Sequence, residues 1–105
     1  MYILNAFSLA MVPEYPAQLA VTELSCEQAR TLVQGTEVQS AVGHAETAAI
    51  LSDLLGIAVA TNRITVHLQR GQWALVGQYD GPRLPEGATR LPPNARVRWL
   101  RVAVL

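Results

Sequence analysis

The amino-acid sequence predicts a single α/β domain, with a mixed sheet of about five strands and helices packed against it. Stretches of alternating apolar residues are interleaved with two stretches of helical periodicity, and no internal repeat or low-complexity segment interrupts them. The chain has 105 residues, of which 50% are hydrophobic, and this is enough for one core but not for two. We therefore expect one domain over residues 1–105.

The first part of the chain predicts two strands and a helix. Residues 1–7 are rich in strand-forming residues, whereas residues 8–16 contain two prolines and predict a loop. Residues 19–24 alternate weakly and predict the second strand. A helix is predicted from Ser25 to about Val33, because Ser25 and Gln28 have the spacing of a capping box and Gly35 is a typical helix end.

The rest of the chain predicts a second helix and three strands. Residues 43–55 have apolar side chains spaced by three and four positions, and Gly56 follows them. Residues 63–69 and 73–79 predict two strands, and residues 80–94 predict a loop rich in glycine and proline. Residues 95–105 alternate without a clearly polar face. We expect this strand to be central in the sheet, or to be covered on its second face by helices or a partner subunit.

The balanced charge argues against a protein that binds duplex nucleic acid. Eight arginines balance eight acidic residues, and there is no run of like charge. Binding to a duplex depends on many basic groups that neutralise phosphates, so no such partner is expected. A small ligand with a few phosphates is compatible with the composition, because guanidinium groups bind phosphate through paired hydrogen bonds. A GC-rich genome that replaces lysine by arginine and enriches alanine is the preferred explanation of the arginine content.

The cysteine content and the hydropathy of the chain argue against a disulfide, a metal site and a membrane span. Cys26 is the single cysteine, and the two histidines do not form a metal-binding pattern, so neither a disulfide nor a metal or other cofactor is expected. No segment reaches the roughly 18 consecutive apolar residues of a membrane span, and the first residues lack the basic flank of a signal peptide. We expect a cytoplasmic protein without a membrane partner.

The stretch from Ser40 to Gly56 is the best candidate for a functional site, because it sets His44 at the start of the second predicted helix, directly after Gly43. A helix start offers unpaired N–H groups and the positive end of the helix dipole, and glycine lets an anion approach the backbone. An imidazole titrates near neutrality and can give a proton to a phosphate. The alternative is a histidine that only caps the helix or packs locally.

Polar residues in the predicted loops are further candidates. Arg83 and Glu86 stand three positions apart among turn-forming residues, where they could act on a ligand or form a surface salt bridge. Arg63 stands at the head of a predicted strand and could hold a phosphate or pair with an acid. Asn5 and Ser8 stand at the end of the first predicted strand and could bind a ligand or cap the turn.

The remaining aromatic and histidine side chains are interpreted as structural. Trp73, Tyr79 and Trp99 are expected in the core or at an interface rather than as platforms for stacked bases. His67 falls on the polar face of its predicted strand and is expected to be solvated.

Taken together, several short segments of the chain resemble the viral ring nuclease family. No single segment is specific, but their order and spacing in a chain of this length are, and the resemblance extends from Tyr2 to the final strand. The family consists of small proteins that archaeal viruses and phages use against type III CRISPR immunity, with cellular relatives beside CRISPR loci. The segments are Asn5–Ser8, Ser40–His44, Leu55–Ile57, Asn62–Ile64, Gln78–Tyr79 and Gly81–Gly87.

The resemblance implies a homodimer that binds cyclic tetra-adenylate, the second messenger of type III systems, across its interface. It implies metal-independent cleavage to linear di-adenylate with 2′,3′-cyclic phosphate ends, in the host cytoplasm if the protein is viral. A ribose 2′-hydroxyl attacks the adjacent phosphate and expels the 5′-oxygen. His44 would protonate that oxygen, Arg83 would steady the phosphate, and Glu86 would orient the 2′-hydroxyl or the ligand.

The resemblance also implies a set of ligand-binding residues. Asn5, Ser8, Arg63 and Gln78 match positions expected to line the ligand site, together with Gly43 beside the histidine. A two-fold dimer would present two such sets to a ligand that has rotational symmetry of its own.

Two other classes of function compete with the enzyme. The first is a non-catalytic protein that sequesters or senses a cyclic nucleotide, although such a protein does not need His44, Arg83 and Glu86 together. The second is an interaction or DNA-binding protein of a mobile element, which would need a basic stripe that the balanced charge does not provide.

Overall fold

A computed structural model describes residues 1–105 as five strands, two α-helices and one short 3₁₀ helix. The predicted α/β class and the five-stranded mixed sheet are confirmed. In chain order the elements are β1 (Tyr2–Leu4), the 3₁₀ helix Leu9–Met11, β2 (Leu19–Leu24), α1 (Cys26–Gln34), β3 (Gln39–Ser40), α2 (Ala45–Leu55), β4 (Trp73–Asp80) and β5 (Arg96–Val104).

The strands of the sheet lie in the order β2-β5-β4-β1-β3. Strand β1 runs parallel to both β3 and β4, whereas β5 is antiparallel to β2 and β4. The last strand is therefore paired on both sides, as its two apolar faces predicted. Because β1, β3 and β4 run in the same direction, their carboxyl ends meet at one edge of the sheet.

Both predicted helices are present, and local capping explains where they begin and end. Ser25 Oγ accepts a hydrogen bond from the Gln28 amide at 3.0 Å, and Gln28 Oε1 accepts one from the Ser25 amide at 2.8 Å. This is the predicted capping box of α1. Helix α2 ends at Gly56, whose φ of 70° is the left-handed conformation that glycine adopts most readily. Neither helix has the length and hydropathy needed to cross a membrane.

The sheet buries apolar side chains on both of its faces. On one face, α1 and α2 pack over a cluster that contains Ile3, Leu75 and Trp99. On the other face, Val66 and Leu68 from the segment before β4 lie in the second buried cluster, and Met11 of the 3₁₀ helix packs against it. The N-terminus of α2 lies on the first of these faces, which α1 and α2 cover.

The strands of the structure differ from the predicted ones at three places. Residues 63–69 are not a strand: Val66 and Leu68 are buried as the alternation predicted, but Ile64 is 39% exposed and the segment pairs with no neighbouring strand. The position beside β1 is taken by β3, two polar residues whose sequence has no strand pattern. The first strand is also shorter than the predicted residues 1–7 and ends at Leu4. Alternation thus identified which side chains are buried, but not the strand pairing.

Candidate functional site

The candidate site lies at the edge of the sheet where β1, β3 and β4 end. In open α/β sheets, ligands bind outside the carboxyl ends of the parallel strands, because the connections that leave those ends can diverge there. The chain leaves β3 through Gly43 into α2, and it leaves β4 through Gly81 into a loop that contains Arg83 and Glu86. These segments are far apart in the sequence and are brought together by the pairing of β1 with both strands.

His44 occupies the N-cap position of α2. Its backbone is extended, with φ of −126° and ψ of 128°, and its imidazole makes no capping hydrogen bond to the helix. The side chain is exposed. The imidazole therefore does not serve as a side-chain cap of the helix, which was the alternative to a functional role. The first turn of α2 retains its unpaired N–H groups, and the imidazole is free to face a ligand.

Arg63 lies against this helix start because two loops are hydrogen bonded to each other. Asn62 donates from its amide nitrogen to Val42 O at 2.8 Å and from Nδ2 to Ser40 O at 2.8 Å. The next residue, Arg63, donates from Nη2 to Gly43 O at 3.3 Å. A Cβ on Gly43 would lie 3.4 Å from Arg63 Nε, so the guanidinium side chain passes directly over the glycine. Positive charge is thereby added beside the positive end of the helix dipole.

A cavity of about 890 Å³ separates the N-terminus of α2 from the loop that follows β4. This volume is within the range of pockets that bind small molecules. Its lining includes His44, Arg83 and Glu86, the three residues for which the resemblance implies catalytic roles. The three side chains are exposed to solvent, so a ligand can reach all of them.

Other residues of the cavity were missed or interpreted differently from the sequence. Tyr79, which we expected in the core or at an interface, lines the cavity, and its Oη donates a hydrogen bond to Pro82 O at 2.6 Å. Glu46 and Thr47, in the first turn of α2, line it as well. The available signal for Glu46 was its position two residues after His44, on the same helix start.

None of the predicted ligand-binding residues lines this cavity, including Gly43 and Arg63 at the start of α2. Asn5 follows β1 and is half-buried, and Ser8 caps the 3₁₀ helix by accepting a hydrogen bond from the Ala10 amide at 3.2 Å. Gln78 is exposed and precedes Tyr79 on β4. Because successive side chains of a strand point to opposite faces, Gln78 faces away from the cavity that Tyr79 lines. Their predicted role in ligand binding stays a prediction.

The most evident electrostatic coupling lies away from the cavity, between β2 and β5. Arg98 Nε donates to Glu23 Oε2 at 3.1 Å, and this hydrogen bond, together with the guanidinium charge, lowers the pKa of the Glu23 carboxyl. A second exposed ion pair joins Arg96 to Asp80 at 3.5 Å. No group of three or more histidine, cysteine or acidic side chains is placed to hold a metal ion.

Comparison with known proteins identifies relatives in archaeal viruses. The sequence profile of the STIV B116-like family matches residues 1–93. Uncharacterized protein 26 of Sulfolobus islandicus filamentous virus (isolate Iceland/Hveragerdi) is 34% identical over 71 residues, which are 68% of this chain and 60% of the viral protein. Uncharacterized protein ORF117 of Acidianus two-tailed virus is 34% identical over 77 residues, which are 71% of this chain and 65% of that protein. The matches thus span less than two thirds of either viral relative.

A solved structure has the same fold. B116 of Sulfolobus turreted icosahedral virus superposes with a TM-score of 0.79 and covers 97% of both chains, at 24% sequence identity. At this identity the likeness is one of fold. The shared fold extends over nearly the whole chain, as expected for a single α/β domain.

Proposed function

The chain belongs to the STIV B116-like family, whose relatives are found in archaeal viruses, and from this premise we propose that it is a metal-independent ring nuclease. The proposed substrate is cyclic tetra-adenylate, the second messenger of type III CRISPR systems. The proposed products are linear di-adenylates with 2′,3′-cyclic phosphate ends. Removal of the messenger would switch off the effectors that depend on it, so the protein would act as an anti-CRISPR factor.

The observation that carries this proposal is the shared cavity of His44, Arg83 and Glu86. The residues come from two separate segments, the start of α2 and the loop after β4, and only the fold brings them together. A proton donor, a guanidinium and a carboxylate are a sufficient set for cleaving a phosphodiester that has its own neighbouring hydroxyl. The combination also has no evident structural purpose, because Arg83 and Glu86 form no salt bridge with each other.

The proposed reaction is an internal transfer of the phosphate. The 2′-oxygen of one ribose forms a bond to the adjacent phosphorus, and the bond from that phosphorus to the 5′-oxygen breaks. The 2′-hydroxyl loses its proton, Glu86 being the acceptor that orients it, and the departing 5′-oxygen receives a proton from His44. Because the nucleophile is already beside its phosphate, correct positioning and one acid supply much of the rate.

The surroundings of His44 suit a negatively charged substrate. Arg63 lies over Gly43, and the N–H groups of the first turn of α2 have no side-chain cap. Arg83 adds a second guanidinium, which lines the cavity from the loop after β4. The proposed active form is a homodimer, in which a two-fold axis would place two such sets around one cyclic ligand.

A direct test measures the fate of cyclic tetra-adenylate with purified protein in the presence of EDTA, with products separated by chromatography. We expect the wild-type protein to form linear di-adenylate. His44→Ala should still bind the ring but cleave it roughly 10²- to 10⁴-fold more slowly, because this is the usual contribution of a general acid to the rate. Binding is measured separately by calorimetry, so that loss of affinity is not mistaken for loss of the acid.

The chain offers a matched control for this variant. His67, the second histidine, is exposed and lies outside the cavity, so His67→Ala should cleave at the wild-type rate. Cyclic tetra-adenylate that stays intact with wild-type protein would contradict the proposal. Tight binding without any product would instead identify a protein that sequesters the messenger.

A further inference from the structure

The loop that contains Arg83 and Glu86 is held by side chains of the two elements beside it. At its beginning, Tyr79 Oη on β4 donates to Pro82 O at 2.6 Å. At its end, the Gly87 amide donates to Oε1 of Glu46, in the first turn of α2, at 3.4 Å. The loop is thus attached to the strand that precedes it and to the helix across the cavity.

Arg83 and Glu86 depend on these attachments for their position. Their own side chains take part in none of the hydrogen bonds or salt bridges between side chains that the structure contains. Both residues are exposed, so packing does not fix them either. Their placement opposite His44 therefore follows from where the backbone of the loop is held.

Glu46 is suited to this task by its place in the fold. It lines the same cavity as His44 and is half-buried, whereas the three residues with proposed catalytic roles are exposed. Its partner Gly87 follows Glu86 directly and has a φ of 77°, a conformation that glycine adopts without strain. The amide that Glu46 holds is therefore one residue away from the carboxylate that faces the cavity.

We propose that Glu46 is a positioning residue, whose carboxylate holds the Gly87 amide and thereby keeps Arg83 and Glu86 opposite His44. Glu46 itself touches no reacting atom in this scheme. The effect on loop position stands by itself, whereas an effect on cleavage rests on the proposed ring nuclease function.

The loop contains its own reporter of position, because trypsin cleaves after arginine and the bond after Arg83 lies between the two attachments. Cleavage of a folded protein at such a bond tracks the population in which the segment is detached. In Glu46→Ala, without nucleotide, we expect cleavage after Arg83 to become about two- to tenfold faster, as for the loss of one partly exposed hydrogen bond. Amide hydrogen exchange of Gly87, followed by NMR, should accelerate by a similar factor.

Two further variants distinguish a positioning role of Glu46 from an effect of its negative charge. Glu46→Gln keeps an acceptor oxygen at the same place, so it should restore slow trypsin cleavage and slow exchange at Gly87. Glu27→Ala removes an acidic residue from the first turn of α1, outside the cavity, and controls for the loss of charge at a helix start. It should behave as the wild type in both measurements.

The proposal is overturned if Glu46→Ala leaves trypsin cleavage and Gly87 exchange unchanged, or if Glu46→Gln accelerates them as much as Glu46→Ala does. With cyclic tetra-adenylate as substrate, Glu46→Ala should lower kcat and Glu46→Gln should largely restore it. A glutamine variant with an intact loop but no cleavage would show that the charge acts in the reaction, against a positioning role. If the wild-type protein cleaves nothing, the ring nuclease function fails while the trypsin result still decides the role of Glu46.

Discussion

Gly81→Ala tests whether the backbone of the loop after β4 must stay where it is. A Cβ on Gly81 would lie 2.5 Å from Ala95 Cβ, 3.0 Å from Ala95 Cα and 2.9 Å from Tyr79 Oη. Non-bonded carbon atoms prefer separations of about 3.5–4.0 Å. The loop must therefore move by about 1 Å, and the same movement disturbs the hydrogen bond from Tyr79 Oη to Pro82 O.

The expected effects on stability and on activity differ in size. Overpacking costs roughly 1–3 kcal/mol, and the exposed loop can yield, so we expect the free energy of unfolding to fall by about 1 kcal/mol. For a domain of about this size, that lowers Tm by roughly 4–8 °C. A displacement of about 1 Å next to the reacting groups costs on the order of 10²-fold in rate, so cleavage of cyclic tetra-adenylate should suffer far more than folding.

Gly71→Ala is the matched control, assayed beside Gly81→Ala by thermal unfolding and by single-turnover cleavage. Gly71 has a φ of 86°, and no atom lies within 4 Å of the position that a Cβ would take, so alanine there strains the backbone without displacing a neighbour. It should lose a comparable amount of stability and keep its activity. A folded Gly81→Ala protein that cleaves at the wild-type rate, or a Gly71→Ala protein that loses as much activity, would refute this reasoning.

Two further predictions concern stability and pH. Gly77→Ala should lower the free energy of unfolding by roughly 1–3 kcal/mol in urea titrations, since a Cβ there would lie 2.8 Å from both Leu51 Cδ2 and Trp99 Cζ3; a change below about 0.5 kcal/mol would contradict the packing. Arg98→Gln should raise the pKa of Glu23 towards its ordinary value in an NMR titration, because the hydrogen bond and charge of Arg98 lower that pKa. The stabilisation from this pair is present above the unfolded-state pKa of Glu23 and is lost as pH falls through the lowered folded-state pKa. The stability of the variant should therefore depend less on pH in the acid range, where the charge of Arg96 still lowers the pKa of Glu23 to a smaller extent. A pKa of Glu23 that is the same in the variant and the wild type would exclude the coupling.

The helices could be predicted from the sequence because their signals are local. The capping box of Ser25 and Gln28 and the left-handed Gly56 act within a few residues, so their pattern and their structural outcome coincide. The two-residue strand β3 has no such signal, since Gln39 and Ser40 join the sheet only because β1 has a free edge beside them. Pairing of this kind is a property of the assembled sheet and is absent from the local sequence.

The candidate site also has one part that could be predicted from the local sequence and another part that could not. His44 could be predicted from the residues around it, since a glycine and a helix pattern surround it in the sequence. Its grouping with Arg83 and Glu86 required the family resemblance, because the residues are distant in sequence and meet only through the parallel pairing of β1 with β3 and β4. Tyr79 and Glu46 were missed because a tyrosine on a strand and a glutamate on a helix are ordinary until the loop beside them is placed.

The interior position of β1, between β4 and β3, has a consequence for how the chain folds. Both neighbours of β1 in the sheet come later in the sequence, and the pairing with β4 closes a loop of most of the chain's length. Contacts between residues that are distant in sequence slow folding, since the entropy of loop closure must be lost before the contacts form. During synthesis, β1 leaves the ribosome well before β4 exists, so Ile3 and Leu4 can meet β3 and the helices early but lack β4, the longer of their two neighbouring strands, until translation has passed Asp80.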